Sequence, residues 1–184
     1  MKSPFAAVAA LVLVAGCTPG TENATEAAND SPIANIIAPR PEPSKSPDQT
    51  FVDSVASLNA YIAGAGSLAE QKGTSARVKA FGKKLMLDRT QSTMKLKLAA
   101  ATQPDLLIDA SLDDEQNDNI ATLQKANGAA FDTALKAQMV VALTKLEALL
   151  KERYLANEGD PELKSFASYG APPVRANLAA AKAL

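Results

Sequence analysis

The sequence predicts an all-α protein, an antiparallel bundle of the four-helix type with extra short helices, preceded by a disordered tether. Apolar residues make up 47% of the chain and aromatic residues only 4%, with no Trp, so Ala and Leu dominate the apolar content. Apolar side chains recur at helical spacing, and no segment alternates as a strand does. We predict a leader over residues 1–16, a tether over 17–50 and one helical domain over 51–184.

The first predicted helix runs from about Asp48 to Lys72, and Gly73 ends it. The residues spaced to form its buried face are Phe51, Val55, Leu58, Ile62, Ala65 and Ala69. Ser75 is placed to cap a second helix that reaches about Ala101. The stripe of this second helix is apolar at both ends and polar in its middle, and it comprises Val78, Phe81, Leu85, Arg89, Ser92, Leu96 and Ala99.

A shorter helix is predicted after Pro104, opened by Ser111 with Asp114 in a capping box and reaching roughly Ala126. Gly128 then separates it from a long helix over about 129–156. The buried face of this long helix is predicted to comprise Phe131, Leu135, Met139, Ala142, Leu146 and Leu149. Acidic residues near the start of the shorter helix are interpreted as favouring its N-terminus rather than as a calcium site.

The C-terminal region is predicted to contain two more helices. Asp160 and Pro161 begin a short one, because proline suits the first helical position. The pair Pro172-Pro173 is predicted to end a loop before a last helix. The small residues Gly64 and Gly66 lie inside the first helical pattern, and we interpret them as sites of close helix contact.

Charge and composition exclude several classes of function. The 19 basic and 20 acidic residues leave a net charge of -1, which creates no field that would gather phosphates, so nucleic acid is not an expected partner. The chain contains no His, which removes Ser-His-Asp and Cys-His catalysis and the HExxH zinc site. Carboxylate, Lys or Tyr chemistry remains, or no chemistry at all.

The N-terminus has the form of a secretory leader, with Lys2 before an apolar run that ends at the only cysteine, Cys17. The residues Val-Ala-Gly-Cys at its end resemble a bacterial lipobox, at which Cys17 becomes the acylated first residue of the mature protein. The alternative is an ordinary leader cut near Ala15 with an incidental cysteine. The lipoprotein is favoured because an unpaired thiol is a liability in an oxidising compartment.

The segment that follows is rich in Pro, Asn, Ser, Thr and Glu and cannot form a core. As a flexible coil it would average roughly 30 Å from end to end, so we interpret it as a spacer between the membrane and the domain. Its PRPEP stretch is alternatively a ligand for a proline-binding groove. Thr18, where an Asp would favour the inner membrane, resembles lipoproteins that are sent to the outer membrane.

Three stretches, LAEQKGTSARVKAFGKKLMLDR, GAAFDTALKAQMV and APPVRANLA, resemble a family of bacterial exported proteins catalogued as domain of unknown function 4142. The resemblance covers about residues 51–179, and the phrase around Phe131 and Asp132 is its most distinctive part. It implies a ferritin-like helical bundle. Such bundles hold metals with carboxylate and imidazole donors from several helices.

The resemblance also implies where a metal site would lie. The family pattern has a Glu in the first helix and one His in each of the second, long and last helices. These positions fall on Ile62, Arg89, Leu143 and Asn177, none of which matches the family residue. The resemblance therefore implies a divergent member whose metal site is lost, and no cofactor is expected.

Two interpretations of Arg89 remain open at this point. It forms a buried polar network with Glu147 and Asn177, or it reaches solvent along its aliphatic stem. The second is favoured, because a half-satisfied buried charge is costly.

These observations predict a lipid-anchored protein of the bacterial cell envelope, facing the periplasm from the outer membrane rather than the inner membrane. Its bundle is expected to act as a non-catalytic binding or structural module. One alternative is a metal-handling or redox protein that uses carboxylates such as Glu70 and Glu147. The other is a stress-related adaptor that binds another envelope protein, so a protein partner is left open.

Overall fold

A computed structural model describes residues 45–184, which form five helices and no strand. The helices are α1 (Pro47–Lys72), α2 (Ala76–Ala100), α3 (Asp114–Lys125), α4 (Gly128–Leu155) and α5 (Pro161–Ala183). The predicted all-α bundle is therefore confirmed. The predicted leader, Cys17 and most of the predicted tether lie outside the described residues.

The first two helices begin and end close to where the sequence predicts. The side chain of Ser46 caps α1 by accepting a hydrogen bond from the amide of Gln49 at 3.0 Å, and the predicted stop Gly73 follows its last residue. Ser75 caps α2 as predicted, accepting from the amide of Val78 at 3.2 Å. Local capping chemistry explains the agreement, because each cap lies within three residues of its partner.

The predicted start of α3 is wrong by a few residues. Its cap is Asp113 rather than Ser111, and the carboxylate of Asp113 accepts from the amide of Gln116 at 2.7 Å. The side chain of Gln116 in turn accepts from the amide of Asp113 at 3.1 Å, which completes a capping box. The amide of Ser111 donates instead to Asp109, in the turn before the helix.

The predicted break at Pro172-Pro173 is also wrong, because α5 continues through both prolines as a single helix. Both rings lie on the exposed side of α5, while Ala171 and Val174 on either side of them are buried. The prolines remove two backbone hydrogen bonds from the helix. Burial of one continuous apolar face against the bundle outweighs that loss.

Four of the helices form a ring in the order α1, α2, α5, α4, in which each packs against the next. Adjacent helices run antiparallel, as the contacts between α1 and α4 show. Asp48 at the start of α1 forms an ion pair with Arg153 at the end of α4, and Thr74, just after α1, donates to Asp132 near the start of α4. Consequently α2 and α4 lie on a diagonal and run parallel. The connection between them must return along the bundle, and it contains α3, which packs against α1 and α4. One long crossover of this kind is the connectivity of ferritin-like bundles.

The interior of the bundle is filled by apolar side chains from all five helices. The predicted faces of α1 and α4 are buried, except that Leu149 is half-buried and Leu150 takes the interior position. The largest fully buried side chains are Phe131, Ile62, Leu85, Leu96, Leu123, Leu135, Met139, Leu143, Leu146, Leu150, Leu163 and Val52. From residue 45 onward, no helix combines the length and the apolar character that crossing a bilayer requires.

The backbones of α1 and α2 come into direct contact at Gly66 and Gly82. A Cβ atom at Gly66 would lie 2.7 Å from the carbonyl oxygen of Gly82, and one at Gly82 would lie 2.5 Å from the carbonyl oxygen of Gly66. Gly66 is therefore the close-contact residue that the sequence predicts. At Gly64 a Cβ would make only an ordinary contact, 3.6 Å from Ile120.

Asp160 connects the start of α5 to the turn that follows α2. Its carboxylate accepts from the amide of Leu163 at 2.9 Å and from the side chain of Gln103 at 2.8 Å. Partial burial by itself raises the pKa of Asp160, but hydrogen bonds from Gln103 and from the amides of Leu163 and Glu162 outweigh it and lower the pKa below its usual value.

We expect Gly66→Ala to lower the free energy of unfolding by about 1–3 kcal/mol, because the added methyl group forces α1 and α2 apart. Gly64→Ala is the matched control, and it should be neutral or stabilising, since Ala is the better helix former and has room there. Urea denaturation followed by circular dichroism measures both. Equal stability of the two variants would contradict a tight contact at Gly66.

We expect Asp160→Ala to cost about 1 kcal/mol of stability at neutral pH through loss of the cap. The contribution of the carboxylate is fully present above the unfolded pKa of Asp, about 3.9, and is lost as the pH falls through the lower folded pKa. Asp160→Asn keeps a cap acceptor without this titration, so the stability difference between wild type and Asp160→Asn should shrink below about pH 4. Denaturant midpoints across pH 2–7 test this, and a difference that grows on acidification would contradict it.

Candidate functional site

The four positions implied by the family resemblance all lie inside the bundle. Ile62 on α1 and Leu143 on α4 are fully buried within the apolar core. Arg89 on α2 and Asn177 on α5 are buried as well, and they are the polar members of the set. Two of the four buried positions therefore carry apolar side chains, and the other two carry polar ones.

Arg89 does not reach solvent along its stem, so that interpretation is wrong. The residue is only 2% exposed, and its Nη1 donates a long hydrogen bond of 3.3 Å to Oδ1 of Asn59. Its Nε is buried and has no partner among the described residues. Burial lowers the pKa of Arg89, an effect that nearby Asp88 partly opposes, yet a guanidinium stays protonated in proteins. The bundle therefore holds an incompletely paired positive charge.

The predicted network of Arg89, Glu147 and Asn177 is not formed. Glu147 accepts from Nε of Arg175 at 2.8 Å, in a partly exposed ion pair between α4 and α5. The side chain of Asn177 donates to Asp88 at 2.8 Å. Each of the three residues therefore has a different partner, and Arg89 contacts neither Glu147 nor Asn177 through a hydrogen bond.

Sequence reasoning missed Asn59, which joins Arg89 to Ser92. Asn59 is buried on α1 and donates from Nδ2 to Oγ of Ser92 at 3.1 Å. A polar chain therefore runs from Arg89 through Asn59 to Ser92. The available signal was the position of Asn59 between Val55 and Ile62, at helical spacing on an apolar face.

A cavity of about 330 Å³ opens beside this polar chain, between α2 and α5. Arg89, Ser92 and Lys95 of α2 contribute polar groups to its wall. The remaining wall is mixed: its polar residues are Asp88, Gln91, Glu162 and Ser165, and its apolar part comprises Leu98, Ala99, Phe166, Tyr169, Gly170 and Pro173. A cavity that combines apolar surface with polar groups is suited to a small molecule that is itself part apolar and part polar.

A second cavity of about 600 Å³ lies between α1, α3 and α4. At its wall the hydroxyl of Tyr61 donates to Gln138 at 3.0 Å. Burial raises the pKa of Tyr61, and Glu115 and Asp113 raise it further, so the phenol stays protonated. Lys145 pairs with Glu115 at 2.9 Å. The polar groups named here have partners, so this cavity lacks the unsatisfied charge of the first.

Within residues 45–184, no three His, Cys, Asp or Glu side chains come together closely enough to hold a metal ion. Glu70 is half-buried on α1, and the carboxylate of Glu147 forms an ion pair with Arg175. The convergence of carboxylates that the metal-handling alternative requires is therefore not found among these residues.

Comparison with known protein families gives a match over most of the chain. Residues 37–184 match a family model described as Domain of unknown function (DUF4142). No curated protein and no solved structure matches the chain.

We expect the double variant Arg89→Met/Asn59→Leu to be at least as stable as wild type, with a gain of up to about 1–4 kcal/mol, because it replaces a half-paired buried charge and its partner by apolar groups. The single variant Asn59→Leu should instead destabilise the protein, since it removes the one hydrogen bond that Arg89 makes to the described residues. Urea denaturation distinguishes the two. A double variant less stable than Asn59→Leu would contradict this interpretation.

Proposed function

The chain belongs to the family described as Domain of unknown function (DUF4142), and from that premise we propose that it is a lipid-anchored protein of the bacterial cell envelope whose helical bundle is a non-catalytic binding module. The observation that carries the anchor is Cys17, the only cysteine in the chain, which directly follows an apolar run and the small pair Ala15-Gly16. A thioether to diacylglycerol forms at sulfur, which gives a thiol at this place a specific use.

Several acyl chains on one residue make a lasting anchor. Each buried CH₂ contributes about 0.8 kcal/mol, and two or more chains suffice for stable attachment without a basic patch. The net charge of -1 agrees with an anchor that does not depend on anionic lipid. Thr18 after the cysteine favours the outer membrane, and the segment rich in Pro and Ser would hold the bundle away from the surface.

The buried charge favours a binding module over a purely structural one. A bundle needs only apolar packing to be stable, and Ile62 and Leu143 provide that packing in the core. Arg89 costs stability where it lies, because its guanidinium is buried and only partly hydrogen-bonded. Buried charges that lower stability are found most often at functional sites. Arg89 is such a charge, and it adjoins a cavity.

The anchor is tested by expressing the full chain in a diderm bacterial host with radiolabelled palmitate. We expect the wild-type protein to take up label and to sediment with the outer membrane, and Cys17→Ala to take up none, because the acylated sulfur is lost. Thr18→Asp is the matched control, and it should keep the label while moving to the inner membrane. Label on Cys17→Ala, or none on the wild type, would overturn the anchor.

A further inference from the structure

We propose that the cavity between α2 and α5 binds an amphipathic organic anion, an acidic head with a linear apolar body, whose head pairs with the guanidinium of Arg89. This inference rests on the proposed binding function and names the class of its ligand.

The protein satisfies Arg89 only in part. A guanidinium has five N–H donors in a planar fork. One of them donates to Asn59, and Nε has no partner among the described residues. No carboxylate of this part of the chain forms an ion pair with Arg89. A carboxylate or phosphate would supply both the missing charge and the missing acceptors, since these planar or multidentate anions match the fork.

The cavity has the shape of a groove along two antiparallel helices. Its wall extends on α2 from Asp88 to Ala99 and on α5 from Glu162 to Pro173. At 1.5 Å of rise per residue, each side is about 16 Å long. Arg89 lies near one end of the α2 wall. A linear body bound at Arg89 by its head would therefore run along the groove, within the 330 Å³ available.

The groove has apolar surface that a linear body would cover. Leu98 and Tyr169 belong to its wall and are each 73% exposed, which is a large exposure for side chains of this size. Phe166 also belongs to the wall, and it is buried. An alkyl chain lying here would remove Leu98 and Tyr169 from water, which favours binding by the hydrophobic effect.

Asp88, which precedes Arg89 in the chain and belongs to the same wall, offsets the charge of Arg89 only in part. The carboxylate of Asp88 is already paired, with Lys84 at 2.7 Å and with Asn177 at 2.8 Å. Glu162 is exposed at the opposite end of the groove, beyond the apolar stretch. Lys95 is exposed on the same wall, about 9 Å along α2 from Arg89, and therefore lies toward the other end. The buried guanidinium of Arg89 is thus what favours an anion at its own end of the groove, and Glu162 disfavours one at the other end.

The proposal is tested by isothermal titration of the mature chain, residues 17–184 with Cys17→Ala so that no lipid or detergent is present. The probes are dodecanoate, dodecyl phosphate, dodecanol and inorganic phosphate, each below its aggregation concentration. We expect both amphipathic anions to bind one per chain, dodecanol to bind at least about tenfold more weakly, and inorganic phosphate not to bind measurably. The ratio of the two anions distinguishes a carboxylate from a phosphate as the preferred head.

Variants assign the binding to the groove. Arg89→Met/Asn59→Leu, which is expected to fold at least as well as wild type, should weaken dodecanoate binding by about tenfold or more. Arg89→Lys should fall between the two, because it keeps the charge and loses the fork. Lys145→Met is the matched control, since it removes a positive charge from the second cavity and should leave binding unchanged.

Three results would overturn the proposal: equal affinity for dodecanoate and dodecanol, unchanged binding in Arg89→Met/Asn59→Leu, or no binding of any amphipathic anion. Loss of binding in Lys145→Met would move the site to the second cavity and also overturn it. Palmitate labelling at Cys17 does not depend on Arg89. Failure of the groove therefore leaves the anchor standing, and failure of the anchor leaves the titration interpretable.

Discussion

The contact between the backbones of α1 and α2 at Gly66 and Gly82 sets the geometry of this bundle. At that point each glycine lies against the other's carbonyl oxygen, and no side chain separates the helices. Seven residues away on each helix, which is two turns, lie Asn59 and Arg89, and these two are joined by a hydrogen bond. The small residues that bring the helices together therefore also place Arg89 against α1 rather than in solvent.

Burial of Arg89 has consequences for the whole polar interior. A charge that is hidden from water and only partly hydrogen-bonded reduces stability, so the surrounding core must compensate for it. The core contains large apolar side chains that are fully buried, among them Ile62, Leu85 and Leu143. The same charge adjoins the cavity between α2 and α5, where an anionic group would neutralise it and accept its remaining hydrogen bonds. Under the proposed binding function, stability would favour removing this charge, whereas binding of an anion requires it.

The sequence by itself determined the limits of the first four helices to within a few residues. Ser75, Gly73 and Pro161 act within a few residues of their own positions, so their effects can be read without a partner helix. The spacing of apolar residues also identified the buried faces of α1 and α4. The same periodicity placed Arg89 on the stripe of α2, but it did not show that the guanidinium is buried, and the favoured interpretation that Arg89 reaches solvent was wrong.

Tertiary structure alone decided what the polar residues contact. Pro172 and Pro173 lie within a continuous α5, because the packing of that helix outweighs a local preference to stop. Glu147 pairs with Arg175, and Arg89 with Asn59, because the ring order of the helices determines which side chains face each other. The cavity between α2 and α5 could not be predicted from the sequence of either helix alone. Its wall is built from two helices separated by 60 residues of chain, and their meeting depends on the connection that contains α3.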